Sequence, residues 1–132
     1  MRSVLDTQST APSNKVINFA EKFSLFTEQW TPKVISAMND YQFKLVKVEG
    51  EFIWHSHADT DEVFIVLEGE LEIYLRDVKV TLNSGEMYVV KKGVEHKPCA
   101  LREAKIMLIE PRGVINTGEV TNALTAENDQ WI

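Results

Sequence analysis

The sequence has few of the residues that mark disulfide-rich or membrane-spanning proteins. Cys99 is the only cysteine among 132 residues, which excludes an intrachain disulfide and a zinc site built from several cysteines. The longest unbroken apolar run, residues 63–67, is far too short to span a membrane. The polar residues after Met1 do not form the apolar core of a signal peptide, so the sequence predicts a soluble cytoplasmic protein.

Positive charge is also scarce. Fourteen Lys and Arg face twenty Asp and Glu, for a net charge of −6, and the densest basic cluster is the pair Lys91-Lys92. This balance argues against nucleic acid or an anionic membrane as the main partner. A small-molecule ligand is the expected partner. The length and the 44% apolar content suit one domain with its own core.

Short apolar or alternating runs, separated by turn residues, fill the sequence from residue 33 to residue 109. The predicted strands are 33–38, 41–48, 51–57, 62–68, 71–75, 78–82, 87–90, 94–99 and 105–109. Many short strands at close intervals predict an all-β fold, an antiparallel sandwich or barrel. No helical stretch of useful length lies between them, which disfavours a βαβ fold.

Both ends of the chain differ from this strand pattern. Residues 1–14 are polar and aperiodic and read as a mobile tail, with an arm that docks on a partner subunit as the less favoured alternative. The apolar residues between 16 and 23 fit a short helix or a strand. We predict a barrel over residues 15–113 and a C-terminal extension, residues 114–132, that packs on it, with a short helix near 122–128.

The chain contains three histidines, His55, His57 and His96. Residues two apart on a strand point to the same side, so His55 and His57 are expected to project into one space and could share a metal ion. Glu62 follows beyond a polar loop and could return beside the pair, and His96 could lie on a neighbouring strand. Taken singly, each residue is more often a solvated or satisfied side chain than a ligand.

The arrangement of these residues resembles the two sequence motifs of small single-domain cupins. The first motif corresponds to Gly50-x4-His55-x-His57-x4-Glu62-x6-Gly69, and the second to Gly85-x5-Lys91-x-Gly93-x2-His96. The chain departs from the family pattern at Lys91, where proline is frequent. The resemblance implies a double-stranded β-helix, or jelly-roll barrel, and a divalent metal bound by His55, His57, Glu62 and His96.

A ligand set of three imidazoles and one carboxylate suits a transition metal. The sequence therefore predicts one divalent ion of Fe, Mn, Ni, Co, Cu or Zn per chain, and disfavours Ca and Mg, which prefer oxygen ligands. Four protein ligands would leave one or two positions for water, oxygen or a substrate. Other residues on the same strand faces are candidates for lining the pocket: Glu51, Ile53, Tyr88 and Val90. No general base can be nominated.

The resemblance is compatible with more than one function. We expect a metal-dependent enzyme acting on a small organic or sugar-like substrate, with isomerase, epimerase or dioxygenase chemistry. A non-catalytic small-molecule binding or sensing module is the alternative, and a barrel that holds adventitious metal is a third interpretation. Residues 63–67 are apolar on both faces, which predicts a homodimer through sheet faces or, alternatively, coverage by a terminal segment of the same chain.

Overall fold

The computed structural model describes residues 15–132, so the tail expected at residues 1–14 lies outside the described residues. This part of the chain forms one five-residue helix, α1 (Phe19–Phe23), and seven strands. The strands are β1 (Lys33–Met38), β2 (Tyr41–Glu51), β3 (Glu62–Glu68), β4 (Glu70–Leu75), β5 (Lys79–Asn83), β6 (Met87–Val90) and β7 (His96–Pro111). The predicted all-β class is confirmed, and no helix in residues 15–132 is long and apolar enough to cross a membrane.

Strand alternation sets which residues enter the barrel. In β2 the buried side chains include Gln42, Lys44, Val46 and Val48, which are two residues apart and therefore lie on one face. The same spacing in β3 buries Glu62, Phe64 and Val66. Inward positions thus carry charged groups near one end of the barrel and apolar groups elsewhere.

The strand pairing is antiparallel throughout and produces the jelly-roll arrangement. The sheet runs in the order β1-β2-β7-β3-β6, while β4 pairs with β5 and with the first part of β7. β3 pairs with β6 and with the second part of β7, whereas β4 pairs with β5 and with the first part of β7, and Gly69 lies between β3 and β4. The long strand β7 takes part in both layers, which brings His96 at its start into the barrel.

Three predicted strands differ from the structure in the region that builds the site. The predicted strands 94–99 and 105–109 are one strand, β7, whose residues 101–103 are exposed. Those residues bulge opposite the register shift between Val48 and Gly50, which interrupts the apolar pattern without ending the strand. The predicted strand 51–57 does not form either, because β2 continues through residues 49–51 and the chain then runs as a loop to residue 61.

The outer face of the sheet is covered by a second apolar cluster. Phe23 and Phe26, from α1 and the segment after it, pack on Leu45 and Met107, and Ile65 and Leu67 of β3 join the same cluster. Burying each phenylalanine contributes about 1.5–3 kcal/mol relative to an exposed side chain. Segments of the same chain thus cover part of the outer apolar face of β3, where Ile65 and Leu67 are half-buried.

The C-terminal segment returns to the barrel beside β1. The Val34 amide donates to the Gln130 carbonyl (2.7 Å), and the Ile132 amide donates to the Val34 carbonyl (3.1 Å). The helix expected near residues 122–128 is wrong. Asn122 instead stabilises a turn, its side-chain oxygen accepting from the Leu124 amide at 2.7 Å, since Asn favours such local bonds over a helix.

Candidate metal centre

Backbone hydrogen bonds bring the two histidine-bearing segments together. The His55 amide donates to the His96 carbonyl (3.0 Å) and the His96 amide to the His55 carbonyl (2.9 Å), an isolated antiparallel bridge. The Gly93 amide donates to the His57 carbonyl at 2.8 Å. Gly93 has φ +78°, a conformation that glycine adopts without the steric cost of a side chain. The two histidines predicted to share a strand face thus lie on an extended loop beside the start of β7.

Four side chains meet at this point. One ligand atom from each of His55, His57, Glu62 and His96 lies within 4.8 Å of all the others, and all four residues are buried. Glu62, the first residue of β3, places Oε1 3.2 Å from His57 Nε2 and 3.3 Å from His96 Nε2. The structure therefore brings together the four residues that the sequence motifs pointed to.

Neighbouring carbonyl groups orient two of the imidazole rings. His55 Nδ1 lies 2.9 Å from the Ile53 carbonyl, and His96 Nδ1 lies 3.0 Å from the Val94 carbonyl. A carbonyl oxygen can only accept, so Nδ1 carries the hydrogen in both rings and Nε2 is left with a lone pair when the ring is neutral. Burial, and then the neighbouring His96, lower the pKa of His55 to about 4. The neutral form that binds metal is therefore present at neutral pH.

The contacts inside the cluster are suited to a cation. Glu62 is ionised, because its contacts with His57 and His96 outweigh burial and hold its pKa well below the ordinary value. When His96 is neutral, its Nε2 lone pair faces the Glu62 carboxylate, so two acceptors lie 3.3 Å apart. His57 Nε2 is buried and makes no hydrogen bond. A metal ion would satisfy these three groups at once, and the mixed N/O donors match a transition metal.

A buried ion pair lies behind Glu62. Lys44 Nζ donates to Glu110 Oε2 at 2.8 Å, and both side chains are almost wholly buried. Burial and then the negative charge of Glu62 raise the pKa of Glu110 well above its ordinary value, against the opposing effect of Lys44. Sequence reasoning missed this pair. The available signal was that Lys44 lies two and four residues before the inward-facing Val46 and Val48, and therefore on the same face of the strand.

A small cavity, partly open to solvent, adjoins the cluster. His55, Glu62 and Asn116 line it together with nine apolar residues, which we call the apolar wall. The apolar wall consists of Trp30, Pro32, Val46, Val48, Phe52, Phe64, Pro98, Ile106 and Leu108. The cavity thus has one end rich in metal-binding groups and an otherwise apolar surface.

The residues expected to line the pocket lie elsewhere. Glu51 is exposed and its carboxylate is 3.4 Å from Lys97 Nζ. Ile53 and Tyr88 are half-buried and pack against the barrel core, and Val90 is part of that core. None of the four is among the residues that line the cavity beside the cluster. The prediction for Ile53 assumed a regular strand, and the loop after β2 breaks that regularity.

Trp30 forms part of the cavity wall in a strained conformation. Its φ is +59°, which is unusual for a bulky residue and costs on the order of 1–3 kcal/mol. Two hydrogen bonds hold it, from the amide to the Lys47 carbonyl (2.8 Å) and from Nε1 to the Glu49 carbonyl (3.0 Å). The ring stacks on Phe52 with centroids 4.7 Å apart. The surrounding contacts therefore fix the Trp30 ring at the cavity.

The C-terminal segment packs directly on the histidine loop. Gly118 lies so close to Ser56 that an added Cβ would overlap the Ser56 carbonyl oxygen and come within 3.4 Å of the His55 ring. The Glu119 amide donates to the same carbonyl at 3.2 Å, and its carboxylate accepts from the Ala58 amide at 3.3 Å. Residues 116–119 consequently help to hold the loop that carries His55 and His57.

We expect Gly118→Ala to lower the free energy of unfolding by about 1–3 kcal/mol, because φ is +62° and the methyl group meets Ser56. Urea unfolding of the metal-free protein measures this loss. Gly113→Ala is the matched control, since Gly113 also has positive φ but a Cβ there would meet nothing within 4 Å. Equal losses in the two variants would show that the contact with Ser56 has no energetic weight.

The fold and the site together define a class: a jelly-roll barrel with a His-His-Glu-His cluster inside it. The family model described as Cupin domain matches residues 43–110, which include all four residues of the cluster. The chain belongs to the cupin family.

Known proteins resemble this chain over different extents. A cupin-2 domain-containing protein from Shewanella frigidimarina is 71% identical with a TM-score of 0.73, covering 74% of this chain and 95% of its own. Protein NMB1881 from Neisseria meningitidis is 33% identical with a TM-score of 0.68, covering 74% and 99%. The uncharacterized protein YdbB of Bacillus subtilis is 42% identical over 64 residues, 48% of this chain. The chain spans only 57% of the length of that curated relative.

Proposed function

We propose that this cupin binds one divalent transition metal ion through His55, His57, Glu62 and His96, and is a metal-dependent enzyme for a small organic substrate. The observation that carries the proposal is the buried cluster itself, where Glu62 Oε1 lies 3.2–3.3 Å from Nε2 of His57 and His96 and a neutral His96 ring presents a lone pair to the carboxylate. Such an arrangement is unfavourable in an apolar interior without a cation between the groups.

A bound metal would supply Lewis acidity or, for Fe and Mn, redox chemistry at the positions that the four ligands leave open. The chain's own residues prepare the site. The Ile53 and Val94 carbonyls fix the rings of His55 and His96, as partners of metal-binding histidines commonly do. The apolar wall offers water few hydrogen-bond partners in the rest of the cavity. Both isomerase or epimerase chemistry and dioxygenase chemistry are compatible with this arrangement.

A non-catalytic binding or sensing role is the second candidate. It is favoured by the composition of the cavity, because none of its lining residues outside the cluster can donate or accept a proton at neutral pH. Activity towards a substrate panel separates the two roles. The homodimer and the cytoplasmic location expected from the sequence stay predictions.

The test of the proposal is the metal content of protein purified without a histidine tag. We expect close to one transition metal ion per chain after dialysis, measured by elemental analysis. Less than about 0.1 ion per chain, even after incubation with Fe, Mn, Co, Ni or Zn, would contradict the proposal. His57→Ala serves as a control, because it removes a ligand and should reduce the bound metal while circular dichroism shows the same strand content.

A further inference from the structure

The cavity beside the cluster offers a ligand few polar groups. Its ionisable lining residues, His55 and Glu62, both belong to the cluster. The third polar lining residue, Asn116, has its side-chain amide already occupied. Its Nδ2 donates to the Trp30 and Leu124 carbonyls (3.0 and 2.9 Å), and its Oδ1 accepts from the Ala126 amide (2.8 Å).

The aromatic residues of the apolar wall likewise have their contacts within the protein. The Trp30 indole N–H is bonded to the Glu49 carbonyl, so its ring presents carbon atoms to the cavity. Phe52 stacks on Trp30 and also meets the His55 ring edge-on, with centroids 5.3 Å apart. Phe64 makes a similar edge contact with His96 at 5.9 Å. These rings are held against one another and against the cluster, which makes the wall a preformed surface.

The two ends of the cavity select for different parts of a ligand. A divalent cation with the Glu62 carboxylate and three neutral imidazoles leaves the cluster with a net positive charge, which favours an anionic oxygen donor. Along the apolar wall a hydroxyl group would lose its water without gaining a partner, and an apolar group would gain by burial. A polyhydroxylated ligand would lose the water around several hydroxyl groups in this way, which would weaken its binding.

From these observations we infer that the site takes a small molecule with one carboxylate or phenolate group on an otherwise apolar body, a single ring or a short branched chain. It discriminates against sugars and sugar acids. The charged end of this inference rests on the proposed metal function, and the apolar end rests on the wall alone.

Carboxylate ligands that differ in the polarity of the rest of the molecule test the apolar end of the inference. The cobalt-loaded protein is titrated with 4-methylbenzoate, 4-hydroxybenzoate and gluconate, and binding is followed by calorimetry and by the visible spectrum of the cobalt ion. All three carry a carboxylate, but only the first has an apolar body. We expect 4-methylbenzoate to bind at least about tenfold more tightly than either of the others, a difference of about 1.4 kcal/mol. Equal or tighter binding of 4-hydroxybenzoate or gluconate would overturn the inference.

A substitution in the apolar wall provides a second test of the inference. Val48→Thr replaces a methyl group by a hydroxyl at nearly constant volume, and should reduce the preference for 4-methylbenzoate over 4-hydroxybenzoate by about tenfold. Val80→Thr is the matched control, because Val80 packs against the core without lining the cavity. An unchanged preference in Val48→Thr would contradict a role for the wall in selection.

Metal-free protein separates this inference from the proposed function. If no cobalt binds, the proposed metal binding is not supported. Binding of an apolar ligand by the apolar wall is then tested with toluene, which has no donor atom. Toluene should raise the Tm of the metal-free protein and should raise it less in Val48→Thr than in Val80→Thr. The absence of any toluene effect on Tm would overturn the apolar end of the inference, whatever the result with cobalt.

Discussion

Replacing Glu62 by glutamine is expected to weaken metal binding by at least about 100-fold, beyond the roughly 10–100-fold that loss of a supporting residue around a metal site causes. The change keeps the size of the side chain and removes its charge. Affinity is measured by competition of Zn²⁺ or Co²⁺ with a chromophoric chelator. Glu95→Gln is the matched control, since Glu95 precedes His96 but is half exposed and pairs with Arg76 at 2.9 Å.

The same substitution should leave the metal-free fold intact. The glutamine amide can donate to the nitrogen atoms of His57 and His96, where the carboxylate of Glu62 faces neutral rings only as an acceptor. Glu110 also loses a negatively charged neighbour. We therefore expect metal-free Glu62→Gln to keep the strand content of the parent protein, measured by circular dichroism. Unchanged metal affinity in the variant would show that Glu62 is not a ligand.

Replacing Lys44 by methionine is expected to lower the free energy of unfolding by about 1–3 kcal/mol, the usual cost of leaving a buried polar group without its partner, since Glu110 with its raised pKa can take up a proton. The variant leaves Glu110 buried beside Glu62 without its cation partner. A loss of this size is a large part of the total stability of a small domain, about 5–15 kcal/mol. Urea unfolding followed by circular dichroism measures it.

A double variant keeps this prediction testable if Lys44→Met does not fold. Lys44→Met with Glu110→Leu removes both charges and should recover most of the lost stability, because two apolar side chains can fill the same space. Lys79→Met is the surface control: its pair with Glu72 is partly exposed, and little change is expected. A double variant no more stable than the single variant would show that packing, and not charge, is the origin of the loss.

Local patterns predicted much of the secondary structure. The strands at residues 33–38, 62–68 and 87–90 have the predicted bounds, because each has strand-forming residues between turn residues. The pattern was less informative where pairing is irregular. The bulge at residues 101–103 looked like a break between strands, and the loop that carries His55 looked like a strand.

The candidate site likewise has one part that the sequence predicts and one part that it does not. His55, His57, Glu62 and His96 could be grouped because the chain has three histidines and their spacing, together with Glu62, resembles the cupin motifs. The residues that line the cavity could not be identified as a group from the sequence. They come from the segment before β1, from several strands and from the C-terminal segment. Their proximity depends on the order and register of strands, which local sequence does not encode.

The sequence by itself determined that this chain is a β protein with a concentrated set of metal-binding side chains. Alternation and turn residues act locally, and imidazole and carboxylate groups keep their chemistry in any fold. Only the tertiary structure decided that Lys44 meets Glu110, that Phe23 of α1 joins the apolar cluster on the outer face of the sheet, and that Gly118 rests on the histidine loop. Each of these contacts joins residues far apart in the chain, so each exists only after the barrel has closed.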